Sequence, residues 1–158
     1  KIGDGSVIKD FTTVEDARFG ARCRIGPYAR VRPEGWFGDE VQIGNFVETK
    51  NVHIADHCRI NHMTFIGDAR LADRVTIGAG TIFCNYDGHH SHETVIEQDV
   101  FVGSGTELVA PLHIGQGATI GSGSTITQNV PPGELTLARS RQSVVDNWSG
   151  PRSQRKHD

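Results

Sequence analysis

An aliphatic residue recurs at every sixth position of this chain, and that period limits what the chain can fold into. Residues six apart drift around an α-helix instead of forming one stripe, so helices are not expected. Short strands joined by corners do fit this spacing, and hexad repeats are typical of parallel β-helices. The longest unbroken registers are Phe19, Ile25, Val31, Phe37, Ile43 and Ile96, Val102, Leu108, Ile114, Ile120, Ile126.

The repeat also predicts how each coil is filled. Three hexads, about 18 residues, are expected to close one triangular coil, with the next coil stacked on it at ~4.8 Å. Small residues at the fifth place of the hexads, including Cys23 and Cys58, are expected to pack inside beside the aliphatic side chains. Ten of the 19 glycines directly follow the aliphatic position, where they are expected to adopt the backbone conformations of a corner.

Charge and composition exclude several classes of function. The formal net charge of −3 gives no basis for binding nucleic acid or an anionic membrane. No apolar run approaches the roughly 20 residues that span a bilayer. Three cysteines without metal-ligand spacing indicate reduced thiols and therefore a cytoplasmic protein. The chain starts at Lys1 within a repeat, so we expect it to be part of something longer.

Stacked coils predict two columns of polar groups. Arg32 and Lys50 each follow an inward residue and should lie one above the other on neighbouring coils. An anion between them relieves their repulsion, and a phosphate is the natural candidate, with a solvated surface pair as the alternative. The second column, two residues after successive aliphatic positions, consists of Asn45, His62, Ala79, Ser104 and Ser122. It combines an imidazole, a backbone amide and hydroxyls along a groove that is open to a long ligand.

A loop interrupts the repeat at about residues 84–95 and begins with Asn85 and Tyr86. Loops on rigid scaffolds often carry function, and an insertion of this length costs little closure entropy. We expect Asn85 and Tyr86 to leave the coil close to His62 and Ala79, with a neighbouring subunit completing the pocket. The loop also contains three histidines, for which a solvated polar loop is the alternative interpretation: His89, His90 and His92.

Six segments together resemble one known family: IGPYARVRP (25–33), IGNFVETK (43–50), NHMTFIGDA (61–69), IGAGTIFCNYDG (77–88), VFVGSGTELVAP (100–111) and PPGELTLARSRQ (131–142). The family is the bacterial bifunctional enzyme with N-acetylglucosamine-1-phosphate uridyltransferase and glucosamine-1-phosphate acetyltransferase activities. The resemblance is to its C-terminal acetyltransferase domain and covers nearly the whole chain. CNYDG after IGAG is a specific motif.

The resemblance implies an all-β fold, a left-handed parallel β-helix, assembled as a homotrimer with active sites between subunits. Residues 1–130 then form the β-helix domain, with its loop at about 84–95, and residues 131–158 form a C-terminal strand and tail. The family's N-terminal uridyltransferase domain is absent from this chain. The reaction implied is acetyl-CoA-dependent conversion of glucosamine 1-phosphate to N-acetylglucosamine 1-phosphate, a step of UDP-N-acetylglucosamine biosynthesis.

Site residues are also implied by the resemblance. His62 matches the general base that takes a proton from the substrate amine, and the Ala79 amide matches the oxyanion donor. Transfer is implied to be direct, with no acyl-enzyme and no metal. Arg32 and Lys50 match residues that hold the sugar phosphate, Asn85 and Tyr86 match residues around the sugar and acetyl group, and Ser104, Ser122 and Arg139 match contacts to coenzyme A.

Three positions depart from the family pattern, and all three belong to the aminosugar side of the pocket. Phe65 stands where the family usually has Tyr, Thr76 where it has Asn, and Ser91 where it has Lys. His90 or His92 is expected to replace that cation only in part, because an imidazole is incompletely protonated near neutral pH. The alternatives are therefore an acyltransferase for another phosphorylated or nucleotide-linked aminosugar, and a non-catalytic trimeric scaffold. A scaffold with a metal between subunits needs three convergent histidines, which the spacing of the eight histidines does not favour.

Overall fold

A computed structural model describes residues 1–148, which contain short strands and no helix. No segment of this described part is therefore a helix able to cross a membrane. In chain order the strands are β1 Val7–Ile8, β2 Thr13–Val14, β3 Ala17–Phe19, β4 Arg24–Ile25, β5 Arg30–Val31, β6 Gly35–Phe37, β7 Gln42–Asn45, β8 Glu48–Ile54, β9 Arg59–His62, β10 Phe65–Leu71, β11 Thr76–Ile77, β12 Ile82–Cys84, β13 Thr94–Ile96, β14 Phe101–Val102, β15 Glu107–Val109, β16 Leu112–Ile114, β17 Thr119–Ile120, β18 Thr125–Ile126 and β19 Leu135–Thr136.

The strands pair in parallel and form three faces around one core. The first face is the eight-stranded sheet β1-β4-β7-β9-β11-β14-β17-β19. The second face contains β2, β5, β12, β15 and β18, and the third contains β3, β6, β13 and β16. β8 and β10 are each seven residues long, and they bend round a corner so that each belongs to both of these faces. The result is a three-sided prism.

The pairing register gives the length of one coil. Arg24 pairs with Gln42, 18 residues further on, and Gln42 pairs with Arg59 after another 17. Between Thr76 and Phe101 the step is 25 residues, because this coil carries the inserted loop at 85–93. The prediction of a parallel β-helix with one protruding loop is thereby confirmed.

The core lies inside the prism and consists of the predicted hexad positions. The two long registers from Phe19 and from Ile96 are buried throughout, as are Cys23 and Cys58 at the predicted fifth positions. Burial raises the pKa of the Cys58 thiol to about 12. These two cysteines are packing residues, as predicted.

The explanation given for the glycines is wrong at most of the ten positions that follow the aliphatic residue. Of these ten, Gly26 alone has a positive φ. The others are needed because neighbouring coils approach too closely for a side chain: a Cβ on Gly44 would lie 1.8 Å from the carbonyl oxygen of Asn61, and one on Gly78 would lie 2.4 Å from the amide nitrogen of Ser104.

The left-handed residues instead define the three corners of the prism. The first corner, between the first and second faces, contains Phe11, Tyr28, Phe46, Met63, Gly80, Gly105 and Gly123. The second corner, between the second and third faces, contains Asp16, Glu34, Asn51 and Asp68. The third corner contains Gly5, Arg22, Glu40, His57, Arg74, Asp99, Gly117 and Gly133. The corners therefore differ in chemistry. The first has apolar side chains followed by glycines, the second has acidic side chains and an asparagine, and the third has charged side chains of both signs together with glycines.

Beyond residue 130, β19 extends the first face by pairing with β17. Residues 137–148 contain no further strand. The rest of the predicted tail, 149–158, lies outside the described residues.

Candidate active site

The predicted polar column is present at the first corner. Successive coils are joined there by backbone hydrogen bonds. The amide of Gly80 donates to the carbonyls of Met63 (3.1 Å) and His62 (3.4 Å), and the amides of Gly105 and Gly123 donate to the carbonyls of Ala79 and Ser104. Below them, the Met63 amide donates to the Asn45 carbonyl at 3.0 Å. At the upper end, Nη1 of Arg139 donates to the carbonyl of Ser122 at 2.8 Å. The structure thus aligns five predicted site residues along one edge: His62, Ala79, Ser104, Ser122 and Arg139.

His62 is exposed at the end of β9, and Asn45 on the coil below fixes its ring. Nδ1 of His62 lies 2.8 Å from Oδ1 of Asn45. An amide oxygen accepts hydrogen bonds only, so in the neutral ring the proton is on Nδ1 and the lone pair is on Nε2. The arrangement therefore presents an unprotonated Nε2 to solvent, which is what a general base requires.

One coil above His62 lies a backbone amide that is available to a ligand. Within residues 1–148 the Ala79 N–H has no hydrogen-bond partner, although its carbonyl accepts from Gly105 at 2.8 Å. Ala79 is only half-buried. An unpaired amide beside a base is suited to receive the negative charge of a tetrahedral intermediate.

The corner changes character at His62. Below it the corner residues are exposed and apolar: Phe11 stacks on Tyr28 with ring centroids 4.9 Å apart, Tyr28 stacks on Phe46 at 5.6 Å, and Met63 follows. Above it the corner residues are Gly80, Gly105 and Gly123. Atoms placed at Cβ of Gly105 or Gly123 would meet nothing within 4 Å, so these glycines leave an open strip beside the hydroxyls of the column.

The first face also forms a cavity of about 230 Å³ next to His62. Lys9, Arg24, Gln42 and Asn45 line it together with His62. The imidazole is therefore accessible from the first face as well as from the corner.

The predicted pair of cations, Arg32 and Lys50, lies on the second face, close to the carboxylate of Glu48. Arg32 donates through Nη1 to Glu48 at 3.2 Å, and Arg30 lies 3.7 Å from the same carboxylate. Lys50 is exposed on the next coil and has no ion pair within residues 1–148. An anionic ligand between Arg32 and Lys50 stays a prediction, and Glu48 already neutralises one of the two charges.

Asp68 at the second corner is a hydrogen-bond centre that the sequence analysis missed. Nδ2 of Asn51 donates to it at 2.6 Å, and Nδ2 of Asn85 donates at 2.5 Å. Partial burial raises the pKa of Asp68, but hydrogen bonds from Asn51, Asn85 and Ser91 and the charge of Lys50 outweigh that effect, so the pKa lies below its usual value. The carboxylate of Asp68 is therefore ionised, and these hydrogen bonds fix its position.

The loop is a short hairpin organised by Asp87. Tyr86 bridges to Ser91, and the carboxylate of Asp87 accepts the amides of His89 and His90, both at 2.7 Å. Nε2 of His92 lies 2.7 Å from the other carboxylate oxygen. The backbone hydrogen bond with His90, the side chain of His92 and the amide of His89 together lower the pKa of Asp87 to about 2.

The expected position of the loop is wrong for a single chain. Asn85 stands beside Asp68 at the second corner, whereas His62 and Ala79 stand at the first. Asn85 follows the first-corner residue Gly80 by five residues, which span one side of the prism and cover roughly 16 Å when extended. Asn85 and Tyr86 therefore leave the coil at the far end of the second face from His62.

The other residues predicted to bind the aminosugar lie on two different faces of the prism. The Phe65 ring and the Asn85 amide both lie over Gly67, each 2.8 Å from where its Cβ would stand, so Phe65, Lys50 and Asn85 are neighbours. Thr76 is on the first face, between Arg59 and Phe101. One chain does not bring Thr76 to the other three. Within the described residues, no three His, Cys, Asp or Glu side chains are arranged to hold a metal ion.

The spacing of polar residues in the sequence indicates the contact of Asp68 with Asn51 and Asn85. Asn51, Asp68 and Asn85 are each 17 residues apart, which is one coil with a single five-residue step. Asp and Asn also tolerate the left-handed conformation found at positions 51 and 68. The contact between Asn45 and His62 likewise follows from a 17-residue step.

Comparison with known proteins identifies the family. Residues 93–128 match the family model described as bacterial transferase hexapeptide (six repeats). Over 154 residues the chain is 54% identical to the bifunctional protein GlmU of Nitrosomonas europaea, covering 98% of this chain and 34% of that protein. The chain belongs to the GlmU family. GlmU of Ralstonia pickettii is similar to the same extent, 52% identical over 155 residues.

The predicted family membership is thus confirmed, for a chain that spans about a third of the length of its GlmU relatives. Solved structures agree on the fold. PerB of Caulobacter crescentus, in complex with CoA and GDP-perosamine, matches with a TM-score of 0.64 at 21% identity, over 73% of this chain and 54% of that one. A mutant of AntD, an N-acyltransferase from Bacillus cereus, matches with a TM-score of 0.52 at 15% identity, over 89% and 84%.

Proposed function

We propose that this chain is an acetyl-CoA-dependent N-acetyltransferase that converts glucosamine 1-phosphate to N-acetylglucosamine 1-phosphate. Its identity to GlmU proteins supports the reaction. The observation that carries the proposal is the arrangement at the first corner. A fixed imidazole, His62, stands one coil below an unpaired backbone amide, Ala79, at the start of a strip without side chains.

His62 acts as the general base in this proposal. Nε2 takes a proton from the ammonium group of the aminosugar, and the freed amine attacks the carbonyl carbon of the thioester. The N–H of Ala79 stabilises the negative charge on the carbonyl oxygen of the tetrahedral intermediate. When the C–S bond breaks, the sulfur takes the bonding electrons and His62 returns a proton to it. The attacking nitrogen loses a second proton to water, so the products are the neutral amide, coenzyme A with a free thiol and one proton in solution, and transfer is direct.

The donor lies along the upper part of the first corner. The glycines at 80, 105 and 123 leave room for an extended pantetheine arm, and the hydroxyls of Ser104 and Ser122 are exposed beside it. Arg139, at the top of the column, is suited to bind the phosphates of coenzyme A. PerB and AntD are also bound to coenzyme A in their structures.

The acceptor binds at the second face, where Lys50, Phe65 and Asn85 are neighbours, with Arg32 below them and Tyr86 in the loop above. Lys50 supplies the charge that a sugar phosphate needs, because Arg32 is paired with Glu48.

A second chain is needed to complete the pocket, and we propose a homotrimer. His62 and Asn85 are one side of the prism apart, and Thr76 faces away from Phe65, so side-by-side packing is the way to bring such groups to one ligand. The exposed apolar residues at the lower first corner support packing of this kind. We also propose a cytoplasmic location, which the free thiols support.

A related acceptor is the second candidate. This side of the pocket departs from the family pattern at Phe65, Thr76 and Ser91, and Ser91 adds no charge beside Asp68 and Lys50. These departures favour another phosphorylated or nucleotide-linked aminosugar as the acceptor. A trimeric scaffold without activity remains the third candidate, and the fixed ring of His62 argues against it.

Release of free thiol from acetyl-CoA tests these candidates. We expect turnover with glucosamine 1-phosphate, and Ser91→Lys should lower its KM if the phosphate lies near this position. Turnover only with nucleotide-linked aminosugars would support the second candidate. No turnover with any amine, for a folded trimer, would support the scaffold.

A further inference from the structure

The carboxylate of Asp68 joins three separate parts of the chain. One oxygen accepts a hydrogen bond from Nδ2 of Asn51 on β8, and the other accepts from Nδ2 of Asn85, the first residue of the loop. Ser91, near the other end of the loop, and the charge of Lys50 both act on the same carboxylate and help to lower its pKa. A single side chain on β10 therefore holds the start of the loop against the solenoid.

The contact also sets which way the Asn85 amide points. Because Nδ2 donates to Asp68, Oδ1 is turned away from the corner and is left as a hydrogen-bond acceptor. Gly67 makes this possible, since a Cβ there would lie 2.8 Å from Nδ2 of Asn85 and 2.8 Å from the ring of Phe65. The amide thus lies over the backbone of Gly67, between Phe65 and Asp68.

We propose that Asp68 is a positioning residue for the acceptor site, acting through Asn85 and the loop. It directs Oδ1 of Asn85 towards a hydroxyl or ammonium group of the aminosugar, and it holds the loop that carries Tyr86. The effect of Asp68 on catalysis rests on the proposed function, but its contact with the loop can be tested without any substrate.

Asp68→Asn is the variant that tests the proposal. Asn tolerates the left-handed conformation at position 68 (φ 49°), so the backbone is not strained. Its own NH₂ group, however, faces the NH₂ of Asn51 or Asn85, and one of these hydrogen bonds is lost. We expect faster hydrogen exchange at the His92 amide, which closes the loop onto the Asn85 carbonyl at 2.7 Å. The increase should be on the order of tenfold, as for the loss of a hydrogen bond to a charged group.

Kinetics distinguish positioning from a general loss of structure. In Asp68→Asn the KM for glucosamine 1-phosphate should rise about tenfold, which corresponds to roughly 1.4 kcal/mol. The KM for acetyl-CoA should stay the same, because the donor strip lies at the other corner. The matched control is Asp56→Asn. Asp56 is also half-buried and also accepts from a neighbouring coil (the Asp39 amide, 2.7 Å), but it is remote from the loop. It should leave both KM values and the exchange of His92 unchanged.

The double variant Asp68→Asn with Asn85→Asp reverses donor and acceptor. It should restore the slow exchange of His92 and bring the KM of the aminosugar back towards the wild-type value, because the second oxygen of the new carboxylate presents a hydrogen-bond acceptor where Oδ1 of Asn85 stood. Unchanged exchange and KM in Asp68→Asn would overturn the proposal, as would an equal rise in both KM values. Failure of the double variant to restore protection would also overturn it. If the wild type does not acetylate glucosamine 1-phosphate, the proposed function fails, while the exchange data still decide whether Asp68 holds the loop.

Discussion

Nδ1 of His62 lies 2.8 Å from Oδ1 of Asn45, one coil below it. This single contact determines which ring nitrogen can act as a base, because the amide oxygen requires the proton on Nδ1. The imidazole is exposed, so without this contact its ring would be free to rotate and to change tautomer.

Asn45→Ala should therefore lower kcat while leaving both KM values unchanged. Loss of one neutral hydrogen bond, about 1 kcal/mol, corresponds to a reduction of about fivefold. Steady-state kinetics measure the effect. Asn61→Ala is the control, because Asn61 precedes His62 on β9 and has no hydrogen bond to it. Equal kcat values for Asn45→Ala and the wild type would mean that the contact does not orient the base.

Gly105→Asn should weaken binding of the donor. Asn is accepted at a positive φ, here 66°, so the new side chain should occupy the strip beside Ser104 without straining the backbone. We expect the KM for acetyl-CoA to rise about tenfold, or roughly 1.4 kcal/mol, with no change in the KM of the aminosugar.

Gly117→Asn is a closely matched control for this variant. Gly117 has a φ of 69° and equally open surroundings, but it stands at the third corner. If both variants raised the KM for acetyl-CoA alike, the first corner would have no special role in binding the donor.

Asp87 should titrate far below an ordinary aspartate. Its folded pKa is about 2 against a usual 3.8, because amide and imidazole donors stabilise the charged form. A depressed pKa means that the carboxylate stabilises the folded loop at every pH above the usual value, and that this contribution disappears as the pH falls from about 4 to about 2. Carbon-13 NMR of the Asp87 carboxyl group should give a midpoint near the lower value. A midpoint near the usual value would show that the loop is not organised around Asp87.

Inward and outward aliphatic residues should differ sharply in their effect on stability. Ile60 is fully buried, and Ile60→Ala should reduce the free energy of unfolding by about 2–5 kcal/mol. Ile82 points outward and is 47% exposed, so Ile82→Ala should change it by only about 0.5 kcal/mol. Chemical denaturation measures both values. Similar losses for the two variants would contradict the assignment of inward positions.

The sequence was sufficient to predict the coil, because the period fixes which residues point inward. Ile96 to Ile126 are buried at each sixth position, and the column from Asn45 to Ser122 follows from the same count. The handedness of the winding came from family resemblance, since hydrophobic spacing is the same for either hand.

Side-chain partners were harder to predict than backbone positions. Glu48 beside Arg32 and Asp68 beside Asn85 depend on where long or flexible side chains point, and the period does not specify this. The position of Asn85 was mistaken for a different reason. A step of six residues from Ala79 moves the chain to another corner. Asn85 is therefore close to Ala79 in sequence but lies at a different corner of the prism.

Thiol release from acetyl-CoA by the wild type and by His62→Ala, at saturating glucosamine 1-phosphate, tests the central claim most directly. A positioned general base contributes about 10²–10⁴-fold to the rate, so kcat should fall by that factor while the KM for acetyl-CoA and the thermal stability stay the same. A His62→Ala enzyme that still turns over at the wild-type rate would contradict the account, because no proton acceptor would then be needed at the first corner.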